Sequence, residues 1–407
     1  VEFTPEAVAT TRRNVLVLSL TTAILSFAVR TWWPILPIIL RDRGASVVEI
    51  SLAWGAFTVC ASIPQLWSGV LQDRYGRKPL LALPTFVAAI AYILIAPTSP
   101  WLVTAGWLVL LNLSQGFQGQ SFTVLLAESV GSHERSRAFS VFQFAIGLAS
   151  VAGPALGGIL LLRIGVSPLI LASGVVVFLM AVARVRYLKE TKSPQRQAFD
   201  FRQIFRGRAL WLLIVASAFQ IAINCSVNGP FVPLFLSHDR SFAPSAVNYL
   251  FSFGMLPGVV ASVPIGRLIQ RLGSFRSMAW ALGGHFGLLA LWLLLAQPFL
   301  VYVVFGLSFI CYQAALIAFY VVQSDVAEGR GFGAMLGGIG MLSGIAGALG
   351  LPLAGVVALN FGRGAPFIMG GVVALVAMVT LRHLQTKAGT RPWSVQPASL
   401  AADRARS

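Results

Sequence analysis

Charge is scarce in this chain. Only 11% of its 407 residues are Asp, Glu, Lys or Arg, where a soluble domain carries roughly a quarter. That excludes an ordinary water-facing globule and makes lipid the solvent for most of the surface. Acids are scarcer than bases, 13 against 30, and none of the 13 falls in the middle of a long apolar run. Cysteine is rare too. Cys60, Cys225 and Cys311 lie inside apolar runs, without disulfide or metal-ligand spacing, so they read as free thiols packed in helices. No phosphate loop, nucleophile elbow or metal cluster is present. The chain is therefore not expected to be an enzyme, and neither a cofactor nor a metal is expected. A cleavable leader is not expected either, because the first apolar run begins near Asn14 and is too long for one.

What the chain has is apolar length, with a mean hydropathy of +0.80. Crossing hydrocarbon takes about 20 apolar residues in a helix. Twelve runs meet that need: 14–40, 46–71, 79–97, 101–128, 138–162, 166–187, 210–236, 244–271, 276–297, 299–326, 332–359 and 364–385. In lipid every backbone donor and acceptor must be paired within the segment, so each run predicts a helix. With both termini placed in the cytoplasm, 24 of the 30 Lys and Arg residues fall in cytoplasmic segments. Arg41, Arg43, Arg163, Arg240 and Arg363 fall outside, the bases at the cytoplasmic ends of runs count with the flanking segments, and Arg30 alone lies deep within a span. This positive-inside bias sets the orientation. It also accounts for the net charge of +17 without a nucleic-acid partner.

The expected organisation is a cytoplasmic N-terminus (1–13), a six-helix bundle (14–187), a basic cytoplasmic linker (188–209), a second six-helix bundle (210–386) and a disordered cytoplasmic tail (387–407). An internal repeat at an offset of about 196 residues supports two related halves. Pro34 and Pro37 of run 1 meet Pro230 and Pro233 of run 7. Gly69, Arg74 and Gly76 meet Gly266, Arg271 and Gly273. Glu128 meets Asp325, and Gly153 and Gly158 meet Gly350 and Gly355.

The loop between runs 2 and 3 reads Gly69-Val70-Leu71-Gln72-Asp73-Arg74-Tyr75-Gly76-Arg77-Lys78-Pro79. It resembles the G-x-L-x-D-R-x-G-R-[KR] signature of the major facilitator superfamily. Run 5 carries Gly153-Pro154-Ala155-Leu156-Gly157-Gly158, similar to the G-P-x-x-G-G motif frequent in the twelve-helix drug–proton antiporters of that superfamily. The resemblance extends over residues 14–385. It implies an all-α integral membrane fold of twelve transmembrane helices, in two six-helix bundles related by a pseudo-two-fold axis. It implies a secondary active transporter of a small organic or amphipathic solute working by alternating access, with export suggested by the Gly-Pro motif. One departure stands out: antiporters often carry an arginine in run 4 where this chain has Asn112.

The signature loop has a physical reading. Gly69 permits close helix approach, and Asp73 can accept from a helix N-terminus, which by the resemblance belongs to run 11. Arg77 can pair with Glu128. Together with Arg74, Gly76 and the repeat partner Asp325 these residues form a candidate conformational clamp. The competing reading is that the loop's bases are topology determinants alone. For Gly153, Pro154, Gly157 and Gly158, helix bending and close packing compete with a functional role. Either reading sets run 5 against a partner, by the resemblance run 8.

Polar groups are costly in the membrane and tend to face the interior. They collect on runs 1, 4, 7 and 10 as Arg30, Asn112, Gln115, Gln220, Asn224, Asn228, Tyr312, Gln313 and Tyr320, with Trp33 beside Arg30. These residues are the candidate substrate cavity. Gln220, Asn224 and Asn228 form a stripe one turn apart. Trp32 and Trp33 can supply an aromatic face to Arg30. Single Asn and Gln residues can equally serve as helix–helix hydrogen bonds. Glu49 and His285 are the nearest titratable groups to a coupling site. Two transport readings stay open: a solute exporter, and a facilitator, exchanger or lipid flippase for an organic anion recognised by Arg30. A non-transport membrane protein is the remote alternative. The expected partners are a small-molecule substrate, the lipid bilayer of the cell membrane and, for a coupled carrier, protons. A monomer is expected.

Overall fold

A computed structural model of the chain describes residues 5–64, 71, 74–128, 135–190, 204–326 and 332–388. Each of the twelve runs forms helix among its described residues. The first bundle holds α1a (Pro5–Arg30), α1b (Leu36–Asp42), α2 (Val47–Ser62), α3 (Arg77–Ile95), α4 (Trp101–Glu128), α5 (Arg135–Ile164) and α6 (Val166–Tyr187). The second holds α7a (Gly207–Asn224), α7b (Phe231–Asp239), α8 (Pro244–Leu272), α9 (Ser274–Leu294), α10 (Pro298–Val326), α11 (Phe332–Phe361) and α12 (Ala365–Ala388). Among the described residues ten helices are long and apolar enough to cross a membrane. The described part of α2 is shorter than a span, and Asn112, Gln115 and Gln118 lower the hydropathy of α4. Helix α1a begins at Pro5, about two turns before the apolar run does.

Runs 1 and 7 are expected as single helices, and both are broken. Proline lacks the N–H that would bond the carbonyl four residues back, and its ring clashes with that carbonyl. For Pro34 that carbonyl belongs to Arg30, where α1a stops. A short 3-10 turn, Trp33–Ile35, then leads into α1b. In run 7 the chain leaves α7a after Asn224 and resumes at Phe231, just past Pro230. The expected stripe of Gln220, Asn224 and Asn228 is therefore corrected. Asn228 lies in the turn between α7a and α7b, where its N–H bonds the Ile223 carbonyl at 3.1 Å.

The repeat is visible in backbone detail. Gly76 caps the start of α3 with φ 87°, and Gly273 caps the start of α9 with φ 85°. Both sit in the left-handed region that glycine tolerates and other residues resist. The close helix approaches repeat as well. A Cβ on Gly153 would stand 2.9 Å from the Phe27 carbonyl oxygen of α1a, and one on Gly350 would stand 2.9 Å from Ile221 of α7a. A Cβ on Gly158 would meet the Tyr249 ring of α8 at 2.6 Å, and one on Gly355 would meet Ser51 of α2 at 2.6 Å. So α5 packs on α1a and α8, while α11 packs on α7a and α2. The expected partner of run 5, run 8, is present, with α1a as a second.

Hydrogen bonds between the halves gather toward the end of the molecule that carries α1b and α7b. Asn248 Nδ2 donates to the Thr31 carbonyl at 2.7 Å, and Trp54 Nε1 donates to the Asn228 carbonyl at 3.2 Å. Arg41 Nη1 donates to Ser237 Oγ at 3.1 Å. Ser252 Oγ donates to the Val151 carbonyl at 2.6 Å.

The tightest of the close approaches is testable. A Cβ on Gly157 would overlap the Thr31 carbonyl, whereas one on Gly106 of α4 would meet nothing within 4 Å. Overpacking against backbone costs about 1–3 kcal/mol. Thermal unfolding in detergent should show Gly157→Ala clearly destabilised and Gly106→Ala unchanged or slightly stabilised. Equal midpoints for the two variants would show that α5 does not lie on α1a.

Candidate functional site

Arg30 is the last residue of α1a. The unpaired carbonyls of a helix C-terminus carry partial negative charge and favour a cation there by roughly 0.3–1 kcal/mol. The break after Arg30 thus helps to hold a charge that lipid would reject. Its side chain faces a cavity of ≈ 350 Å³. Leu25, Ser26, Val29 and Trp33 of the first run form one wall, Tyr92 of α3 a second, and Gln115 and Gln118 of α4 a third. Among the described residues no carboxylate pairs with Arg30 and no acceptor hydrogen-bonds it. Tyr312 of α10, from the other half, lies within electrostatic reach of it.

Aromatic rings back this cavity. Trp32 is fully buried behind Trp33, with ring centroids 6.1 Å apart, and meets Tyr92 edge-on at 5.7 Å. Trp33 in turn reaches Trp54 of α2 at 6.1 Å. The expected aromatic face under Arg30 is corrected. Among the described residues the cation–π contacts are Arg74 over Tyr75 and Arg240 over Phe235.

The structure brings Arg30, Trp33 and Gln115 of the predicted cavity set together. Tyr312 comes within electrostatic reach of Arg30, and the remaining members go elsewhere. Asn112 is buried and returns its amide to the Leu108 carbonyl at 2.8 Å, one turn back in its own helix. Gln220 and Asn224 pack on α11, where a Cβ on Gly347 would meet them at 2.5 and 2.9 Å. Asn228 accepts from the Tyr312 hydroxyl at 3.2 Å, a link within the second half. Gln313 packs against Gly258 of α8, and Tyr320 is 60% exposed. For Gln220, Asn224, Asn228 and Gln313 the geometry favours the reading as packing and hydrogen bonds between elements, while Asn112 bonds within its own helix. Sequence reasoning missed Tyr92 and Gln118. Tyr92 was hidden in a run without Asn, Gln or charge. Gln118 had a signal: it stands one turn from Gln115 and so shares its face.

A larger correction concerns Arg184 of α6. Its position at the end of a run reads as a cytoplasmic topology determinant, with Arg30 the lone intramembrane charge. In the structure Arg184 is 2% exposed and bonded inside the first bundle. The coupling candidates also gain definite roles. Glu49 completes a capping box with Ser46 at the start of α2. His285 is fully buried, with Nδ1 2.9 Å from the Ser308 carbonyl and Nε2 3.2 Å from Ser226 Oγ. It ties α9 and α10 to the break in run 7. Outside the spans, Arg43 donates to Thr104 Oγ1 at 2.7 Å, and burial there holds its pKa below the usual arginine value.

Of the candidate clamp, Gly69 and Asp73, and the side chains of Glu128 and Asp325, lie outside the described residues. Arg74 is exposed and Arg77 is buried. A partner the sequence did not suggest is Glu190, just past α6. Its carboxylate accepts from the backbone N–H of Arg77 at 2.8 Å and of Lys78 at 3.0 Å. These are open donors at the positive end of α3, a natural seat for an anion. A Cβ on Gly76 would stand 2.5 Å from Glu190 Oε2, so the glycine supplies both the φ angle and the space.

Paired broken helices, two symmetric sets of glycine contacts and a cavity that Arg30, Gln115 and Gln118 line describe a polytopic helical membrane protein. The chain belongs to the Major Facilitator Superfamily, whose family model matches residues 18–228 and again 214–402, once for each half. It is 25% identical over 269 residues to the multi-drug resistance efflux pump PmrA of Streptococcus pneumoniae, covering 61% of this chain and 65% of that protein. It is 30% identical over 166 residues to the class B tetracycline resistance protein of Escherichia coli, covering 39% of this chain and 41% of that protein. These alignments span less than two thirds of the relatives' own length. Among solved structures, a bacterial homolog of the human lysosomal transporter Spinster superposes with a TM-score of 0.72 at 13% identity, over 92% of this chain and 96% of that one. The human organic anion transporter MFSD10 gives 0.66 at 18% identity, over 91% and 99%. At these identities the structural likeness speaks to the fold.

Proposed function

We propose that the chain is a secondary active transporter of the cell membrane that exports a small organic solute by alternating access, and that Arg30 recognises an anionic group on it. The observation that carries the reading is Arg30, a cation without an acceptor among the described residues, facing a ≈ 350 Å³ cavity. A lone buried charge is tolerable only with water, a dipole or a visiting counter-charge close by. Efflux is supported by the relatives' names. Protons remain the proposed coupling ion, although no carboxylate reaches Arg30 among the described residues, and the transporter acts as a monomer.

Both termini and the 188–209 linker are placed in the cytoplasm, dividing bundles at 14–187 and 210–386. In that orientation the hydrogen bonds between the halves fall on the outer side, which fits a state closed to the outside. Asp73, Arg77 and Glu128 then form the cytoplasmic clamp that stabilises the opposite state, aided by Gly69, Arg74 and Asp325.

Arg30→Gln should weaken binding of anionic compounds about tenfold or more, the worth of hydrogen bonds to a charged group, with neutral compounds little affected. Arg30→Lys should also weaken it, because lysine lacks the planar fork. Uptake into inside-out vesicles with matched anionic and neutral compounds reads this out, and equal loss for both would assign Arg30 to helix anchoring.

Asp73→Asn should slow transport at normal expression, since removing one partner of a partly buried charge network shifts a two-state balance by several kcal/mol. Wild-type transport by this variant would make the clamp dispensable.

A cysteine replacing Gln195 should react with an impermeant maleimide only when the inner face is exposed. Labelling of intact cells would reverse the orientation.

A further inference from the structure

Arg184 is buried to 2% exposure, and every hydrogen bond it makes goes to a neutral oxygen. Nε donates to Thr21 Oγ1 at 3.2 Å and Nη2 to Thr22 Oγ1 at 2.8 Å. Nη1 donates to Thr85 Oγ1 at 2.7 Å and to Gln118 Oε1 at 3.0 Å. Helices α1a, α3, α4 and α6 all meet on this one guanidinium. Among the described residues no carboxylate neutralises it, so its charge stays in the bundle.

The consequence falls on Gln118. A guanidinium only donates, so the Gln118 oxygen must be the atom that faces it. Thr85 Oγ1 lies 3.0 Å from that same oxygen. The amide nitrogen is thereby turned away from Arg184, and Gln118 lines the cavity that Arg30 also lines. Among the described residues no acceptor takes up the two N–H groups of Gln118. Arg30 and Gln118 therefore offer the cavity N–H donors without an acceptor among the described residues, beside the hydroxyls of Ser26 and Tyr92 and the amide of Gln115. A group that only accepts, and carries negative charge, satisfies both.

We propose that Gln118 is a specificity residue and Arg184 its positioning residue: Arg184 holds the Gln118 amide with its N–H groups toward the cavity, where Gln118 and Arg30 together receive the oxyanion of an organic carboxylate or sulfonate. The proposal rests on the reading of this cavity as the substrate site. Glutamate at position 118 would form an ion pair with Arg184 and cancel both features. The amide keeps the positive field and adds two donors.

The test is isothermal titration of the purified full chain in detergent. The probes are naphthalene-1-carboxylate and naphthalene-1-sulfonate, against naphthalene-1-carboxamide as the neutral control. Gln118→Met should weaken both anions about tenfold and the carboxamide, whose carbonyl accepts without a charge, distinctly less. Gln118→Glu should abolish anion binding while raising the melting temperature, because it pairs with Arg184; a purely structural role would not separate the two. Arg184→Gln should lose the preference for anions, and Arg184→Lys, which still donates to the Gln118 oxygen, should restore most of it. Anion binding by Gln118→Met at the wild-type level would overturn the proposal, as would equal loss for carboxamide and carboxylate. Arg30→Gln in parallel separates the two readings. If it weakens the anions and Gln118→Met does not, this inference falls alone. If Gln118→Met weakens them and Arg30→Gln does not, the role of Arg30 falls and this one stands. If the wild type binds carboxylate no better than carboxamide, both fall.

Discussion

Gly157 lets the backbone of α5 lie directly on the Thr31 carbonyl of the first run, and much of the polar geometry follows from that approach. The same carbonyl accepts the amide of Asn248 from the second half. One backbone oxygen therefore sits where α5, α8 and the broken first helix converge. The break leaves Arg30 at a helix C-terminus, and Gly153 leaves room for the Arg30 stem, since a Cβ there would stand 3.0 Å from Arg30 Cβ. The glycines of the Gly-Pro motif are thus packing residues whose packing sets the position of a charge. The two readings of the motif describe one arrangement.

The interior of the first bundle shows how a membrane protein can keep cations without acids. A buried ion costs several kcal/mol unless hydrogen bonds replace its water. Arg184 is surrounded by three threonine hydroxyls and an amide oxygen, each a dipole that can turn its negative end inward. Arg30 has a helix terminus and a cavity. The two devices differ in consequence. The first fixes four helices to one another, while the second leaves a cation available to whatever enters.

Much of this architecture was legible in the sequence, because lipid imposes simple rules. The twelve long apolar runs are helical over their described residues, and the offset of the Pro, Gly and Arg pairs announced two related halves. Arg30 and Gln115 reached the cavity as their cost in lipid implied. The failures have physical causes. The stripe on run 7 assumed an unbroken helix, although Pro230 and Pro233 carried the signal for a break. Arg184 was assigned to topology because a base near the end of a run can either snorkel outward or turn inward. Only the tertiary arrangement, with Thr21, Thr22, Thr85 and Gln118 drawn from three other helices, decides between them. The amides of α7a and α10 looked like cavity groups because hydropathy does not distinguish a neighbouring helix from a solute. Glu190 was invisible as a cap because its seat, the start of α3, lies 113 residues away in sequence.

The seat of Glu190 also bears on how freely the halves can turn. The chain leaving α6 is fastened before it becomes a tether: Glu190 sits on the start of α3, and Asn14 bonds both the N–H and the carbonyl of Lys189 at 3.0 Å. From there to Ile204, buried against the core ahead of α7a, the connection has 13 intervening residues, 191–203. A chain of that length reaches at most about 45 Å when fully extended. That is longer than the hydrocarbon thickness of roughly 30 Å. By length alone, that link imposes no angle between the bundles. It keeps them as one molecule, and the helix contacts of α5 with α8 and of α11 with α2 set how the two halves meet.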